Sequence, residues 1–213
     1  MSYTSIWEID KNWSGKPHSE YKNSWLFCPT IWDVLMCKYI SPYERYSTFT
    51  HTEITSYLSW TFSFDKEISN SCHVKLNERI NNSPVQHDRV LWELSNLSVF
   101  NAKDKVFVSE CIKEFVEDNI AWNLEYKDCE HIIKRFLEIA ETIRTLPKRC
   151  RYFVIHPTSC DDNVEWWFNR KRLCSWDKFV CEFTLIENGK IVGFSSNLEM
   201  CKSGAEKERN DEQ

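Results

Sequence analysis

Glycine and proline are scarce, with only 4 and 6 among 213 residues. That scarcity excludes collagen-like and linker-rich architectures and leaves little room for backbone phosphate cradles. No GxGxxG, Walker A or nucleophile-elbow sequence occurs. Long apolar runs are also absent: no stretch approaches the roughly 20 consecutive apolar residues that a membrane helix needs. The opening segment Met1–Asp10 has neither a basic stretch nor an uninterrupted apolar one, so nothing in it reads as a secretory signal and the cytoplasm is the expected compartment. Positive charge is in deficit. A net charge of −5 opposes general nucleic-acid affinity, which needs clustered Lys and Arg to displace counterions.

Apolar and aromatic residues are plentiful. Hydrophobic residues make up 42% and aromatics 15%, including ten Trp, enough apolar surface to offset the entropy of ordering a chain of one-domain size. The ten cysteines are scattered without CxxC pairs, and several fall at apolar positions of predicted elements. They read as reduced, buried small hydrophobes rather than a disulfide framework. The sequons at Asn12, Asn81 and Asn96 matter only in an exported chain.

Residues 1–51 are aromatic without a clean period and read as an irregular extension, apart from a short helix over Ile31–Ile40. Tyr57–Phe64 alternates Leu58, Trp60, Phe62 and Phe64 with polar or half-polar residues, the pattern of a half-buried strand. Residues 65–86 read as a short strand or turn leading into a loop, and Arg89–Ser95 restarts the apolar signal. Asn101 or Asp104 caps a predicted helix running to about Asn119, with Phe107, Val108, Cys111, Ile112, Phe115 and Val116 on one face. A second helix is predicted over Asp128–Leu146, ended by Pro147. Tyr152–His156 is a predicted strand. Phe179–Phe194 is a predicted hairpin, because Asn188-Gly189 suits a type I′ turn whose central residues both need positive φ. The expected fold is α+β, an antiparallel sheet with two main amphipathic helices packed on it. It forms a single domain over 1–198, with its core in 52–198 and a charged, disordered tail at 199–213.

Chemistry-bearing residues are weighed against plainer roles. Cys160 as nucleophile with His156 as base would give a cysteine-dependent hydrolase, but the spacing alone does not set this apart from an ordinary strand-end loop. Cys150, His156 and Cys160 lack the paired spacing that preorganises metal ligands, so neither a metal nor a cofactor is expected. Asp161, Asp162 and Glu165 suit either helix capping or an acidic recognition patch, with Trp166 or Trp167 as an aromatic anchor. His51, His73, His87 and His131 are isolated in sequence and read as ordinary surface or core residues. Lys148–Arg151 and Arg170–Arg172 read as solvated turns.

The segments Arg89-Val-Leu-Trp-Glu-Leu-Ser-Asn-Leu-Ser98 and Tyr152-Phe-Val-Ile-His-Pro-Thr-Ser-Cys-Asp-Asp-Asn-Val-Glu-Trp-Trp-Phe168, with the two helices between them, resemble small bacterial immunity proteins. Such proteins accompany polymorphic or contact-dependent toxins, and the immunity protein family numbered forty-one is the candidate. The resemblance covers about half the chain. It implies a cytoplasmic antidote that binds the C-terminal effector domain of a cognate toxin stoichiometrically and has no catalytic residue, nucleic-acid ligand or membrane partner. Asp161, Asp162, Glu165 and Trp167 are the partner-binding residues expected from the most distinctive of these segments. A non-toxin scaffold that binds another protein is the alternative to both the antidote and the hydrolase.

Overall fold

In this computed structural model the described residues are 3–10, 15–23, 26–39, 76–96, 98–121, 128–158 and 182–196. The sheet is built around a strand whose side chains are buried on both faces. In β1, Tyr3–Ile9, Ile6 joins Phe100, Phe153 and Ile155 in the main core. Trp7 and Ile9 point the opposite way and pack with Val99 and Val154, as the period-two geometry of a strand requires.

β1 pairs antiparallel with β2, Gly15–Lys22, and with β4, Tyr152–Thr158. β3, Val99–Asn101, lies antiparallel to β4 and parallel to β5, Glu182–Glu187. β6, Lys190–Ser196, closes the far edge as the hairpin partner of β5. The six-stranded order is β2-β1-β4-β3-β5-β6. The α+β expectation holds, and the sheet is antiparallel except at β3–β5. In the hairpin turn Asn188 and Gly189 have φ of 51° and 65°, the positive values that their pairing predicts.

Residues 1–51 require a correction. Far from being an irregular extension, this segment supplies an inner strand and an edge strand, while the helix expected over Ile31–Ile40 is α1, Cys28–Tyr39. β1 hides its period because Thr4, Ser5 and Glu8 are buried beside its apolar residues. β2 is polar because it lies at an edge, where Pro17 and lysines are tolerated and discourage further strand pairing.

Residues 76–81 are also helical rather than a loop, placing Leu76 and Ile80 in the core. The apolar signal at Arg89–Ser95 belongs to α2, Gln86–Ser95. The two predicted helices are α3, Lys105–Phe115, and α4, Glu130–Arg144. More than two helices therefore pack on the sheet.

The helices pack in sequence order, α1 on α2, α2 on α3 and α3 on α4. Phe115 of α3 stacks on Phe136 of α4 with ring centroids 6.2 Å apart, and Phe136 meets Phe27 at 4.6 Å. Each buried phenyl ring contributes roughly 1.5–3 kcal/mol by leaving water. Trp32 Nε1 donates to Ser95 Oγ at 2.9 Å, tying α1 to α2 through a satisfied buried polar pair. Tyr21 and Thr142 hydrogen-bond through their hydroxyls, fixing α4 over β2.

The strand expected over Tyr57–Phe64 and the tail 199–213 lie outside the described residues. No helix among the described residues is long and apolar enough to cross a membrane.

Candidate functional site

α3 does not end as an ordinary helix. Val116–Ile120 widens into a π turn, closed by Ala121 N–H donating to Val116 O at 2.9 Å. Such turns carry an extra residue and re-aim the side chains that follow. Here Asn119 Nδ2 comes within 3.2 Å of Asp88 Oδ1 on α2, and Asp118 Oδ2 within 3.7 Å of His87 Nε2.

Asp88 is fully buried in the first turn of α2, where the helix dipole favours negative charge. Lys38 Nζ, from the last turn of α1, meets its Oδ2 at 2.7 Å and donates to Asn119 Oδ1 at 2.9 Å. Tyr39 Oη donates to the same carboxylate at 2.5 Å and shares a hydrogen bond with Ser83 Oγ at 2.7 Å. Burial, together with the adjacent Asp88 carboxylate, pushes the Tyr39 phenol up to about 12. The buried carboxylate is thus neutralised by Lys38 and well supplied with donors.

His87 is in a different condition. Its side chain is 9% exposed, and Nε2 makes no hydrogen bond among the described residues. Carboxylates face it on both sides: Asp88 Oδ1 lies 3.4 Å from Nε2, Asp118 Oδ2 is 3.7 Å from the same nitrogen, and Glu114 Oε2 is 3.8 Å from Nδ1. Glu114 and Asp118 are 60% and 66% exposed, and Glu117 is exposed beside them. Among the described residues no lysine or arginine pairs with Glu114 or Asp118, whereas Glu110 on the same helix is held by Lys113 at 3.0 Å and Arg144 at 2.7 Å. The result is an acidic surface with uncommitted carboxylates over a buried imidazole.

His87 is a core histidine, as read from the sequence, but it is not isolated in space. Its partners lie next to it and at positions 114 and 118, brought together by α2 crossing α3. The available sequence signal was the His87-Asp88 pair at a helix start and the four-residue spacing of Glu114 and Asp118 on a predicted helix.

A second polar cluster lies at the turn end of the β1–β2 hairpin. Glu8, 5% exposed, pairs through Oε1 with Lys16 at 2.9 Å and Arg149 at 3.1 Å. Burial alone would raise its carboxyl, but the two cations outweigh burial and hold it below the ordinary value. A cavity of about 270 Å³ opens beside them. Both bordering cations are engaged by Glu8, whose single carboxylate balances one of the two positive charges, and Asp10 lines the same cavity. Lys148–Arg151 forms a turn as read, with Arg149 turned toward Glu8.

The buried thiols Cys28, Cys111 and Cys150 do not resemble nucleophiles. Burial pushes Cys111 up to about 12 and Cys150 to about 11, and raises Cys28 further. Cys150 Sγ donates to Tyr152 O at 3.0 Å. His156 is buried on β4 opposite Ser5 of β1. Cys160, Asp161, Asp162, Glu165, Trp166 and Trp167 lie outside the described residues. No group of His, Cys, Asp and Glu among the described residues is arranged to hold a metal ion.

No family model matches the chain, and no curated protein or solved structure matches it. The resemblance to immunity proteins rests on the motifs of residues 89–168 alone.

Proposed function

We propose that the chain acts by binding another protein, as a cytoplasmic immunity protein that neutralises a cognate toxin effector domain stoichiometrically. The observation that carries this reading is the exposed surface of Glu114, Glu117 and Asp118, whose carboxylates have no lysine or arginine partner among the described residues. Exposed uncommitted acids cost solvation when covered, so they suit a surface that meets positive charge on a partner. A basic substrate groove, such as that of a nuclease effector, has complementary charge. The net charge of −5 favours rapid, steered association with it.

The large exposed hydrophobics among the described residues, Val106, Leu137 and Val192, lie on three different elements. Polar and charged contacts therefore dominate the described part of this surface. No catalytic residue is assigned.

The test is capture of partners by the tagged full-length chain from cells of origin, followed by co-expression of any captured effector domain with this chain. A stoichiometric complex and restored growth of cells expressing the effector are expected. A captured partner whose toxicity the chain does not relieve favours a scaffold instead, and absence of any stoichiometric partner rejects the binding reading.

A further inference from the structure

We infer that the surface over His87, between Glu114 and Asp118, seats an arginine side chain of the protein partner. This inference rests on the protein-binding reading above. The two carboxylates flank opposite edges of one imidazole, Glu114 at Nδ1 and Asp118 at Nε2. Negative charge is thus spread along a ridge instead of converging on a point. That arrangement is wrong for a metal ion, which draws its ligands toward one centre. It suits a guanidinium, a planar cation with five donors that can serve two carboxylates at once. An ammonium is a compact point charge that satisfies one of them at a time.

Three further observations favour this occupant. His87 Nε2 is buried without a hydrogen bond, so the floor of the surface is itself incompletely satisfied, a condition that native interiors rarely leave unanswered. Lys38 is the cation that pairs with the Asp88 carboxylate beside His87. It is committed to Asp88 and Asn119, leaving Glu114 and Asp118 for an outside cation. Glu110, one turn before Glu114, already holds Lys113 and Arg144. Along α3 and its π turn, the charge open to a partner is therefore that of Glu114, Glu117 and Asp118.

The probes are two blocked tripeptides, acetyl-Gly-Arg-Gly-amide and acetyl-Gly-Lys-Gly-amide, titrated into the full-length chain at constant ionic strength while the His87 imidazole resonances are followed by NMR. Saturable shifts with the arginine peptide are expected, at an affinity several-fold above that of the lysine peptide. Asp118→Asn and Glu114→Gln should each weaken the arginine peptide severalfold, while Glu110→Gln leaves it unchanged. Equal, unsaturable shifts with both peptides, or full affinity in the Glu114→Gln/Asp118→Asn double variant, would overturn the inference.

Captured partner provides the separating arm. A partner that binds the double variant as tightly as wild type rejects this seat while leaving the protein-binding reading intact. Failure to recover any partner rejects that reading whatever the peptides do. Near-wild-type circular dichroism and thermal midpoint for each variant exclude unfolding as the cause of lost binding.

Discussion

The carboxylate of Asp104, immediately before α3, accepts the backbone N–H of Asn188 at 2.5 Å, joining the helix start to the turn of the β5–β6 hairpin. Next to it, Asn101 Nδ2 donates to Glu187 Oε1 at 2.7 Å. Two side chains from one short segment thus hold both the last residue of β5 and the turn that follows. Burial raises the Asp104 carboxyl above its ordinary value, with the N–H groups of Asn188 and Gly189 opposing that rise and the nearby Glu187 charge adding to it.

Asp104→Ala removes the acceptor and strands turn N–H groups in a partly enclosed place, which costs about 1–3 kcal/mol. Asp104→Asn keeps a carbonyl oxygen and removes a charge that burial disfavours, so its loss should be smaller. Urea unfolding distinguishes the two variants, provided the slope with denaturant is unchanged. Equal midpoints for Asp104→Ala and wild type would remove this tie from the account of hairpin docking.

Gly189 has a φ of +65°, and a Cβ there would lie 2.7 Å from Phe107 Cε1. Gly189→Ala therefore meets a left-handed backbone and an occupied space, and the backbone term alone is about 1–2 kcal/mol. Combining it with Phe107→Ala should relieve the overlap while leaving the backbone strain. In a thermal-melt double-mutant cycle, the pair is expected to couple favourably; strict additivity would mean that Phe107 moves aside at no cost.

Asp104 also illustrates what the sequence could reveal. A residue of this type before an amphipathic run reads as a helix cap, yet Asn101 supplies the local cap, accepting from Lys103 N–H at 3.0 Å, and Asp104 reaches a hairpin more than eighty residues away. Local periodicity located α3, α4, β4 and the Asn188-Gly189 turn, because each has one buried side or a dihedral requirement that residue type reports directly.

β1 escaped because burial extends to both of its faces, with Thr4, Ser5 and Glu8 buried beside Ile6, Trp7 and Ile9. The helix expected over Ile31–Ile40 is present as α1, which begins earlier, at Cys28. The site was less legible than the fold. Glu114 and Asp118 look like solvated helix residues until the π turn and α2 bring His87 between them, a relation set by tertiary packing.

Half-buried Glu93 and buried Glu8 should shape the pH dependence of stability in opposite directions. Burial raises Glu93, with Ser98 donating a partly compensating bond at 2.5 Å. Its folded value lies above its unfolded one, so its contribution is full below the unfolded value and is lost as pH rises through the folded value. Glu8 is held low by Lys16 and Arg149 against the effect of burial. Its contribution is present above the unfolded value and is lost as pH falls through the folded value. Glu93→Gln should flatten the loss of stability on the neutral side, and Glu8→Gln the loss on the acid side. Unfolding free energies measured across about pH 3–7 test both; parallel curves for the variants and wild type would contradict the assignment.

The raised thiols of Cys28, Cys111 and Cys150 predict slow alkylation in the folded chain, since the thiolate is the reactive form and burial limits access. With iodoacetamide at about pH 8, mass mapping should show these three protected in buffer and labelled in urea. Rapid native labelling of Cys111 or Cys150 would contradict their burial.

Lys38 is the more revealing half of its ion pair. Its side chain is 35% exposed while Asp88 is fully buried, so truncating the two ends leaves different remnants. Lys38→Ala strands a buried carboxylate with only Tyr39, Asn119 and the His87 ring around it, and the expected cost is about 3 kcal/mol, toward the range for breaking a buried pair. Asp88→Asn removes the buried charge and leaves Lys38 able to turn to water, so it should cost less. The double variant Lys38→Met/Asp88→Asn should be more stable than Lys38→Ala alone, because it removes the charge together with its partner and keeps an apolar stem. Denaturant midpoints for the three variants decide the matter. If Lys38→Ala is as mild as an ordinary surface substitution, then Tyr39 and Asn119 suffice to hold Asp88, and the cluster beneath His87 does not depend on α1 for its charge.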